Sequence, residues 1–284
     1  MAQTYRRSAF LFRRDLRLAD NTGLLRAAAM SGEVLPCFVF DPDRNRLAAD
    51  GNPPGGATGL SPHLKYGTVS VREVYHAVVA ALGRDHELVR QLYWRDFFTQ
   101  LAFFEPRVLG GAFRREYDTI EWEDDERLFA AWCAGETGFP LVDAGMRQLA
   151  ATGYLPNRVR MLAASFLVKD LHVDWRRGER WFARHLLDYD PAVNNGNWQW
   201  AASTGADAQP YFRVFNPWRQ QERHDPECAY VRRWVPELAG LAPAEIHALA
   251  ERRPPGLYYP EPVVDHRKRA ARAKVLFRRA RSRA

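Results

Sequence analysis

The amino-terminal part of the chain alternates short apolar runs with polar segments in the manner of an α/β fold. Residues 8–12 and 34–40 are apolar runs rich in β-forming residues, and residues 21–30 between them show helical spacing. Asn21 or Asp20 is the residue that would cap this helix. The order predicts one β-α-β unit of a parallel sheet, and two strands are too few for an independent layer.

From residue 61 onward the apolar residues recur at helical spacing. The capping-box pattern SVRE at 70–73 begins one helix and Gly83 ends it. The same reasoning predicts helices at 87–104, 125–133, 141–152, 157–169 and 177–187, and helix starts at the pairs 190–191, 216–217 and 225–226. We therefore predict two domains, a truncated α/β domain over 1–43 and a helical domain over 44–284.

Composition narrows the class of protein. The chain has 284 residues, of which 46% are hydrophobic and 26% charged, as is usual for a globular protein. It contains no apolar run of the length that signal peptides or membrane spans need, so we expect a soluble cytoplasmic protein with no membrane partner. Cys37, Cys133 and Cys228 are too few and too far apart for a disulfide framework or a zinc site, and no metal ligand is expected.

The positive charge is concentrated at the carboxyl terminus. The net charge is +7, yet nine basic residues and a single acidic one follow Val264. A basic helical tail of this kind either touches nucleic acid or forms a solvated surface helix, and the second case is the more common. Net charge alone therefore does not establish DNA binding.

Three segments carry residues with chemical potential. The helix start at 58–63 combines the hydroxyls of Thr58 and Ser61 with first-turn N–H groups that could hold a phosphate, although most such caps are only caps. Residues 91–98 place polar side chains among aromatic ones, which implies either an internal Arg–Asp pair or a ligand. Residues 188–200 combine poor helix formers with two tryptophans, a pattern typical of functional sites. No GxGxxG motif is present, so a dinucleotide would not be bound in the Rossmann manner.

Long motifs identify the chain as similar to DNA photolyases and cryptochromes. The stretch 141–238 closely resembles the flavin-binding domain of that family, and the resemblance extends over almost the whole chain. The matching segments are FRRDLRLADN, TGLSPHLKYGTVS, QLYWRDFF, VDAGMRQL, LPNRVRMLAASFLVKDL, DWRRGERWF, DYDPAVNNGNWQWAASTGADAQPYFRVFNP and WVPEL. The implied fold is mainly α: a multi-helical FAD-binding domain of photolyase type, preceded by a truncated β-α-β remnant of a parallel α/β domain.

The resemblance implies FAD as the cofactor and assigns residues to it. Thr58 and Ser61 would bind its phosphates, and Asn194 would face the reactive ring nitrogen. The other implied contacts to the flavin or its ribose are Gln91, Arg95, Arg160, Asp188 and Asp190, with Arg160 and Asp188 as an ion pair. Trp198, Trp175 and Trp122 match the tryptophans that pass an electron to the photoexcited flavin.

The resemblance also implies UV-damaged DNA as the partner. Trp94 and Trp200 would wall the pocket for a flipped-out cyclobutane pyrimidine dimer, while Asn157, Met161 and Gln91 would touch the lesion. Reduced flavin then donates an electron under light, the cyclobutane ring splits, and the electron returns.

The chain departs from the family pattern at one point within this pocket. Gln91 stands where cyclobutane-dimer photolyases carry a glutamate that hydrogen-bonds the dimer. A glutamine occurs there in (6-4) enzymes, but those carry histidines where Pro156 and Asn157 stand. The cyclobutane reading is the one that we favour.

A larger departure is the missing middle of the antenna domain. Residues 40–46 pass almost directly from the β-α-β unit into linker, and the tyrosine that usually precedes the phosphate motif has no clear counterpart. An antenna chromophore is therefore not expected. The chain is expected to be a monomer, with the exposed edge of its amino-terminal strands as the site of any association.

Two other functions stay open on the sequence. One is a blue-light flavoprotein of the cryptochrome type without repair activity, for which flavin photoreduction would persist without DNA turnover. The other is a truncated, flavin-free relic that binds DNA through its basic tail.

Overall fold

The amino-terminal segment forms the expected β-α-β unit. A computed structural model describes residues 4–12, 14–38, 58–206 and 212–283. Strand β1 (Tyr5–Phe12) pairs in parallel with β2 (Ser31–Phe38), with Tyr5 opposite Ser31 and Phe12 opposite Phe38. Helix α1 (Thr22–Met30) connects the strands, and the Asn21 side chain caps it by accepting a hydrogen bond from the Leu24 N–H at 2.9 Å.

The rest of the described chain is helical. Further α-helices follow in chain order: α2 (Leu60–Tyr66), α3 (Val71–Leu82), α4 (Glu87–Phe104), α5 (Glu126–Ala134), α6 (Pro140–Thr152), α7 (Asn157–Lys169), α8 (Trp175–His185), α9 (Pro191–Ala202), α10 (Pro217–His224), α11 (Ala229–Trp234), α12 (Pro243–His247) and α13 (His266–Ser282). Short 3-10 helices lie at Pro106–Leu109, Arg115–Thr119 and Pro236–Leu238. The mainly α fold class with a small amino-terminal β-α-β unit is thereby confirmed.

Two compact units divide the chain. Unit 1 consists of Met1–Gln100 with Leu187–Asp190, and unit 2 of Leu101–Leu186 with Pro191–Ala284. The predicted domain boundary between 43 and 44 lies outside the described residues, so the division into 1–43 and 44–284 stays a prediction.

Unit 1 buries little of its apolar surface. Helices α1 and α2 contain no buried residue, and Leu18, Leu25 and Leu35 are 78%, 61% and 53% exposed. The β-α-β unit therefore leaves several apolar side chains exposed.

The segment after β1 is instead held to α2 by polar contacts within unit 1. The Leu16 N–H donates to the Tyr66 carbonyl oxygen at 3.0 Å, and Arg17 Nη1 donates to the Gly67 carbonyl oxygen at 3.0 Å. Gly67 has φ +67°, and a Cβ at this position would lie 1.7 Å from the carbonyl oxygen of Arg14. Only glycine fits both the conformation and the close approach.

Unit 2 contains a dense aromatic core. Helix α7 packs against α6, α8 and α9, and the side chains of Trp132, Phe182 and Trp198 are almost completely buried among them. Their rings lie 4.9–6.2 Å apart between centroids. Gly178 makes this packing possible, because a Cβ there would lie 2.2 Å from the Trp198 ring.

The basic tail is an integral helix of unit 2. In α13 the side chains of Ala273, Leu276, Phe277 and Ala280 are buried, and the helix packs against α7 and the 3-10 helix Arg115–Thr119. The tail is thus an amphipathic surface helix: its four buried residues face the unit, while Val275 and most of the cations are exposed.

Two predicted helix bounds differ for local reasons. Asp225 does not begin a helix but ends α10, and its carboxylate accepts hydrogen bonds from the N–H groups of Tyr230 and Val231 at the start of α11. Helix α8 begins at Trp175 because Asp174 caps it.

Within the described residues, no helix is both long enough and apolar enough to cross a membrane.

Candidate functional site

The predicted phosphate residues lie at the start of α2. Thr58 and Ser61 are both exposed, and Thr58 Oγ1 accepts a hydrogen bond from the Leu60 N–H at 3.4 Å. The two hydroxyls and the first-turn N–H groups therefore share one end of a helix, where anions are favoured.

Asp188 and Asp190 belong to unit 1 and lie in its short segment 187–190. Asp190 is buried, and its Oδ2 accepts a hydrogen bond from Arg14 Nη1 at 2.8 Å. Arg14 was missed by the sequence analysis because 176 residues separate it from Asp190. A second contact of the same segment places Lys65 Nζ 5.6 Å from the centre of the Tyr189 ring.

Helix α4 exposes more polar side chains than we expected. Gln91 is exposed and donates from Nε2 to Glu87 Oε1 at 2.8 Å, and Asp96 is exposed and accepts from Gln100 Nε2 at 2.7 Å. The expectation that these two side chains are buried and therefore need partners is wrong.

Trp94 and Arg95 are neighbours on the same helix. The Trp94 ring is 42% exposed and stacks on Phe98 with a centroid distance of 5.6 Å. Arg95 is half-buried. An aromatic face of this kind, supported from behind by a buried ring, is available for stacking with a base.

In unit 2 the first turns of α7 bring three predicted residues together. Asn157 Nδ2 lies 3.7 Å from the sulfur of Met161, one turn further along the helix. Arg160 donates from Nε to the Leu155 carbonyl oxygen at 2.6 Å and lies over the Tyr154 ring. Asn157 is exposed and Met161 half-buried, so the pair presents an amide beside a polarizable thioether.

Asn194 on α9 is held by a residue that the sequence analysis missed. Its Nδ2 donates to Glu179 Oε1 at 2.9 Å, and no described residue hydrogen-bonds its amide oxygen. A carboxylate can only accept, so the Asn194 NH₂ group must face Glu179 and the amide oxygen must face away. The neighbouring Asn195 has a structural role, because its side chain accepts from the buried Gln199.

The three predicted electron-transfer tryptophans differ in exposure. Trp198 and Trp175 are 2% and 1% exposed, whereas Trp122 is half-buried. No ring contact joins the three directly; Trp198 contacts Phe182 and Trp132, and the Trp122 ring lies 6.0 Å from Phe277 of α13. The fourth predicted tryptophan of unit 2, Trp200, is half-buried and lies within 6 Å of the Arg213 guanidinium.

The predicted residues fall into two groups. Unit 1 holds Thr58, Ser61, Gln91, Trp94, Arg95, Asp188 and Asp190, and unit 2 holds Trp122, Asn157, Arg160, Met161, Trp175, Asn194, Trp198 and Trp200. The predicted Arg160–Asp188 pair joins residues of different units and stays a prediction.

Beside Trp122, unit 2 contains a charged network that the sequence did not indicate. Glu123 accepts from Arg269 Nη1 at 2.8 Å and lies 3.1 Å from Nδ1 of the buried His172. Burial lowers the pKa of His172. Burial alone would raise the pKa of Glu123, but the hydrogen bonds from Arg269 and His172 outweigh it and hold this pKa below its usual range.

Within the described residues, no group of His, Cys, Asp and Glu is arranged to hold a metal ion.

The chemistry of these side chains fits FAD. Thr58 and Ser61 offer hydroxyl groups for phosphate oxygens, and Asp190 offers carboxylate oxygens to ribose hydroxyls or a ring N–H. Asn194 presents an amide oxygen that no described residue uses. On the same helix, the buried Trp198 Nε1 has no hydrogen-bond partner among the described residues, which leaves a donor in that region.

Comparison with known proteins defines the class as a multi-helical FAD-binding domain. The model of the FAD binding domain of DNA photolyase matches residues 88–279, and the DNA photolyase model matches residues 8–58. The chain belongs to the photolyase/cryptochrome family. This agrees with the family that the sequence motifs indicate.

Individual relatives support the same assignment. A deoxyribodipyrimidine photo-lyase of Halobacterium salinarum is 50% identical over 236 residues, or 78% of this chain and 49% of the relative. The crystal structure of an archaeal photolyase from Sulfolobus tokodaii, described with two FAD molecules, is 51% identical with a TM-score of 0.73 and covers 85% of this chain and 54% of that one. The Synechocystis cryptochrome structure is 35% identical with a TM-score of 0.70 and covers 76% and 48%. The chain thus spans about half the length of the curated relatives it matches.

Proposed function

We propose that this chain carries out light-driven, FAD-dependent repair of cyclobutane pyrimidine dimers in DNA, as a deoxyribodipyrimidine photo-lyase. The observation that carries the proposal is the Asn157–Met161 pair at the exposed start of α7, within the segment that matches the FAD-binding domain of DNA photolyase. A neutral amide beside a thioether suits the edge and face of an uncharged base.

When bound, FAD supplies a light-absorbing ring that in its reduced form donates an electron. Thr58 and Ser61 hold its phosphates at the start of α2. Arg95, Arg160, Asp188 and Asp190 contact the ring edge or the ribose. These assignments follow from the family resemblance, and the hydroxyl, guanidinium and carboxylate groups are the ones that this chemistry needs.

Asn194 orients the amide oxygen toward the ring nitrogen of the cofactor. Its NH₂ group already donates to Glu179, so only the amide oxygen is available to the cofactor. This oxygen can accept a hydrogen bond from a ring N–H. Glu179 therefore fixes which end of the amide meets the cofactor.

Trp198, Trp175 and Trp122 conduct an electron from the surface inward. Their exposure supports Trp122 as the outermost ring, because Trp175 and Trp198 are buried and Trp122 is reached by solvent. Several short transfers between oxidisable rings are faster than one long transfer from a distant donor.

The lesion is recognised outside the duplex. Base flipping is described for photolyases themselves, and a dimer costs less to extrude than an intact pair because it is already poorly stacked. Trp94 and Trp200 form the walls of this pocket, and Asn157, Met161 and Gln91 contact the lesion. Gln91 contributes a neutral donor and acceptor where a glutamate would contribute a charge.

The test is repair of a dimer-containing oligonucleotide by the flavin-loaded chain. We expect repair in blue light and none in the dark, and we expect Asn157→Ala at equal flavin loading to slow repair by about tenfold through loss of a lesion hydrogen bond. Asn197→Ala is the matched control, since Asn197 is an exposed asparagine on another helix. If Asn157→Ala repairs at the wild-type rate, the lesion pocket is assigned wrongly.

A second candidate is a cryptochrome-like light-responsive flavoprotein. Gln91 in place of a glutamate and the match to the Synechocystis cryptochrome favour it. This function predicts flavin photoreduction at a normal rate with no repair of the oligonucleotide.

We also propose that FAD is the sole chromophore. The Sulfolobus tokodaii relative is described with two FAD molecules, but in this chain the sequence at 40–46 leads almost directly from the β-α-β unit into linker, so most of the antenna domain is expected to be missing. Quantifying flavin per folded chain distinguishes one site from two.

A further inference from the structure

The amino-terminal segment makes polar contacts to two predicted cofactor-binding elements of unit 1. We infer that Arg14 is a positioning residue that fixes the Asp190 carboxylate for the cofactor, and that the segment 14–17 is a working part of the FAD site. The inference rests on the proposed flavin function and adds to it a residue that the family resemblance does not assign.

The first step of the argument is the Arg14–Asp190 ion pair. Arg14 Nη1 lies 2.8 Å from Asp190 Oδ2, and the Asp190 side chain is only 8% exposed whereas that of Arg14 is 43% exposed. A carboxylate this deeply buried is held in one orientation when a guanidinium hydrogen-bonds it. Arg14 provides this hydrogen bond from the solvent side, so it helps to set the direction of the Asp190 carboxylate.

The second step is the way Arg14 itself is held. Leu16 and Arg17 hydrogen-bond the carbonyl oxygens of Tyr66 and Gly67, and the Arg14 carbonyl oxygen lies where a Cβ of Gly67 would be. Gly67 ends α2, whose first turn carries Ser61. The backbone of the segment is therefore fixed to the phosphate helix while the Arg14 side chain reaches Asp190.

A third contact ties the same two elements together. Lys65 of α2 lies over the ring of Tyr189, next to Asp190. Within unit 1, the predicted phosphate helix and the predicted ribose and ring segment 187–190 are thus connected directly by Lys65 and through Arg14. A displacement of the amino-terminal segment would therefore shift both the phosphate helix and the segment 187–190.

The fourth step is the small contribution of the segment to a hydrophobic core. Helix α1 has no buried residue, and Leu18 beside the segment is 78% exposed. What the β-α-β unit provides to the rest of unit 1 is chiefly polar contacts, to α2, to Asp190 and, through Asp20, to Ser70 and Arg72 at the start of α3. These contacts give the β-α-β unit a role in positioning the proposed FAD site that does not depend on an antenna chromophore.

The experiment compares Arg14→Met, Arg14→Lys and the control Arg7→Met. Arg7 is an arginine of β1 in the same unit whose ion pair with Glu33 is exposed on both sides. FAD affinity is measured by quenching of flavin fluorescence, and folding by urea unfolding without flavin. We expect Arg14→Met to weaken FAD binding about tenfold, Arg14→Lys to keep most of the affinity, and Arg7→Met to have no effect.

A charge swap separates positioning from simple stabilisation. In Arg14→Asp combined with Asp190→Arg, an ion pair that is only structural would regain both the wild-type urea midpoint and the wild-type FAD affinity. A positioning pair regains the midpoint but not the affinity, because the cofactor then meets a guanidinium instead of a carboxylate.

The outcomes separate this inference from the proposed function. Wild-type FAD binding together with an unchanged affinity in Arg14→Met, or full recovery of affinity in the swap, overturns the role of Arg14 and leaves the flavin function standing. A folded wild-type chain that binds no FAD overturns both.

Discussion

At the scale of single residues, polar side chains of this protein determine how their neighbours are oriented. The carboxylate of the half-buried Glu179 is an example, because it can accept hydrogen bonds but not donate them. The Asn194 amide is therefore held in one of its two possible orientations. The asparagine is visible in the sequence motif, while the residue that orients it lies on another helix and could not be identified from spacing.

Replacing Glu179 tests this orientation. We expect Glu179→Ala to weaken FAD binding about tenfold, because the Asn194 amide can then turn its NH₂ group toward the cofactor. Glu179→Gln is the matched control, since it keeps an acceptor oxygen, and it should lose less affinity. Fluorescence titration with FAD gives both values, and equal affinities for the wild type and Glu179→Ala would contradict the orienting role.

A second residue-scale feature is the buried lysine at the end of α7. Lys169 Nζ donates to Ser203 Oγ at 2.8 Å and to the Arg213 carbonyl oxygen at 2.5 Å. Burial, together with the nearby charge of Arg213, lowers the pKa of Lys169 from 10.5 to about 7. Between these two pH values the unfolded chain binds a proton that the folded chain does not, so stability rises with pH.

This linkage predicts a pH dependence of unfolding. From pH about 7 to about 8.5 the free energy of unfolding should increase, with a slope of up to about 1.4 kcal/mol per pH unit from Lys169. The window stops there because burial raises the pKa of Cys133 to about 12, which gives the opposite slope above its unfolded pKa of 9.0. Urea titrations at several pH values should show the free energy of unfolding rising with pH in the wild type and constant in Lys169→Met. An equal slope in both proteins would contradict the assignment of this pH dependence to Lys169.

At the scale of elements, the carboxyl-terminal helix shows that a basic tail can be part of a core. Phe277 is 4% exposed, and its ring contacts those of Phe212, Tyr117 and Trp122. Helix α13 thus covers the outermost of the predicted electron-transfer tryptophans. Its cations include Arg269, which pairs with Glu123 beside that tryptophan.

Truncating Phe277 should therefore destabilise unit 2. We expect Phe277→Ala to lower the free energy of unfolding by about 3 to 4 kcal/mol, as for other large buried aromatic residues. Lys274→Ala on the same helix is the control, because Lys274 is exposed. Chemical denaturation of both variants gives their free energies of unfolding. A loss below about 1 kcal/mol for Phe277→Ala would mean that α13 is not part of the core.

Most element bounds could be predicted because capping residues mark them locally. Asn21, Ser70 and Asp125 each begin the helix that the sequence indicates. At Asp225 the local pattern was misinterpreted, because its carboxylate accepts from N–H groups at the start of α11 and does not begin a helix at 225–226. Arg14 and Glu179 were missed for a different reason, since their partners are remote in sequence. The four buried positions of α13 were hidden by its many cations.

At the scale of the whole molecule, the chain spans about half the length of the curated members of its family. Unit 1 exposes apolar side chains of its strands and first helix, including Tyr5, Leu11 and Leu35. The prediction of a monomer that associates, if at all, through this edge is measured by sedimentation at increasing concentration. The substitution Leu35→Lys should abolish any dimer. A dimer that still forms in this variant would place the interface elsewhere.

The central claim is that this shortened chain still builds a flavin site. The most direct measurement is an absorption spectrum of the chain after incubation with FAD and removal of unbound flavin, repeated under blue light with a reductant. The account predicts resolved flavin bands at about one FAD per chain, which bleach under light. A folded chain that retains no flavin would contradict the claim, and the motifs would then record ancestry without activity.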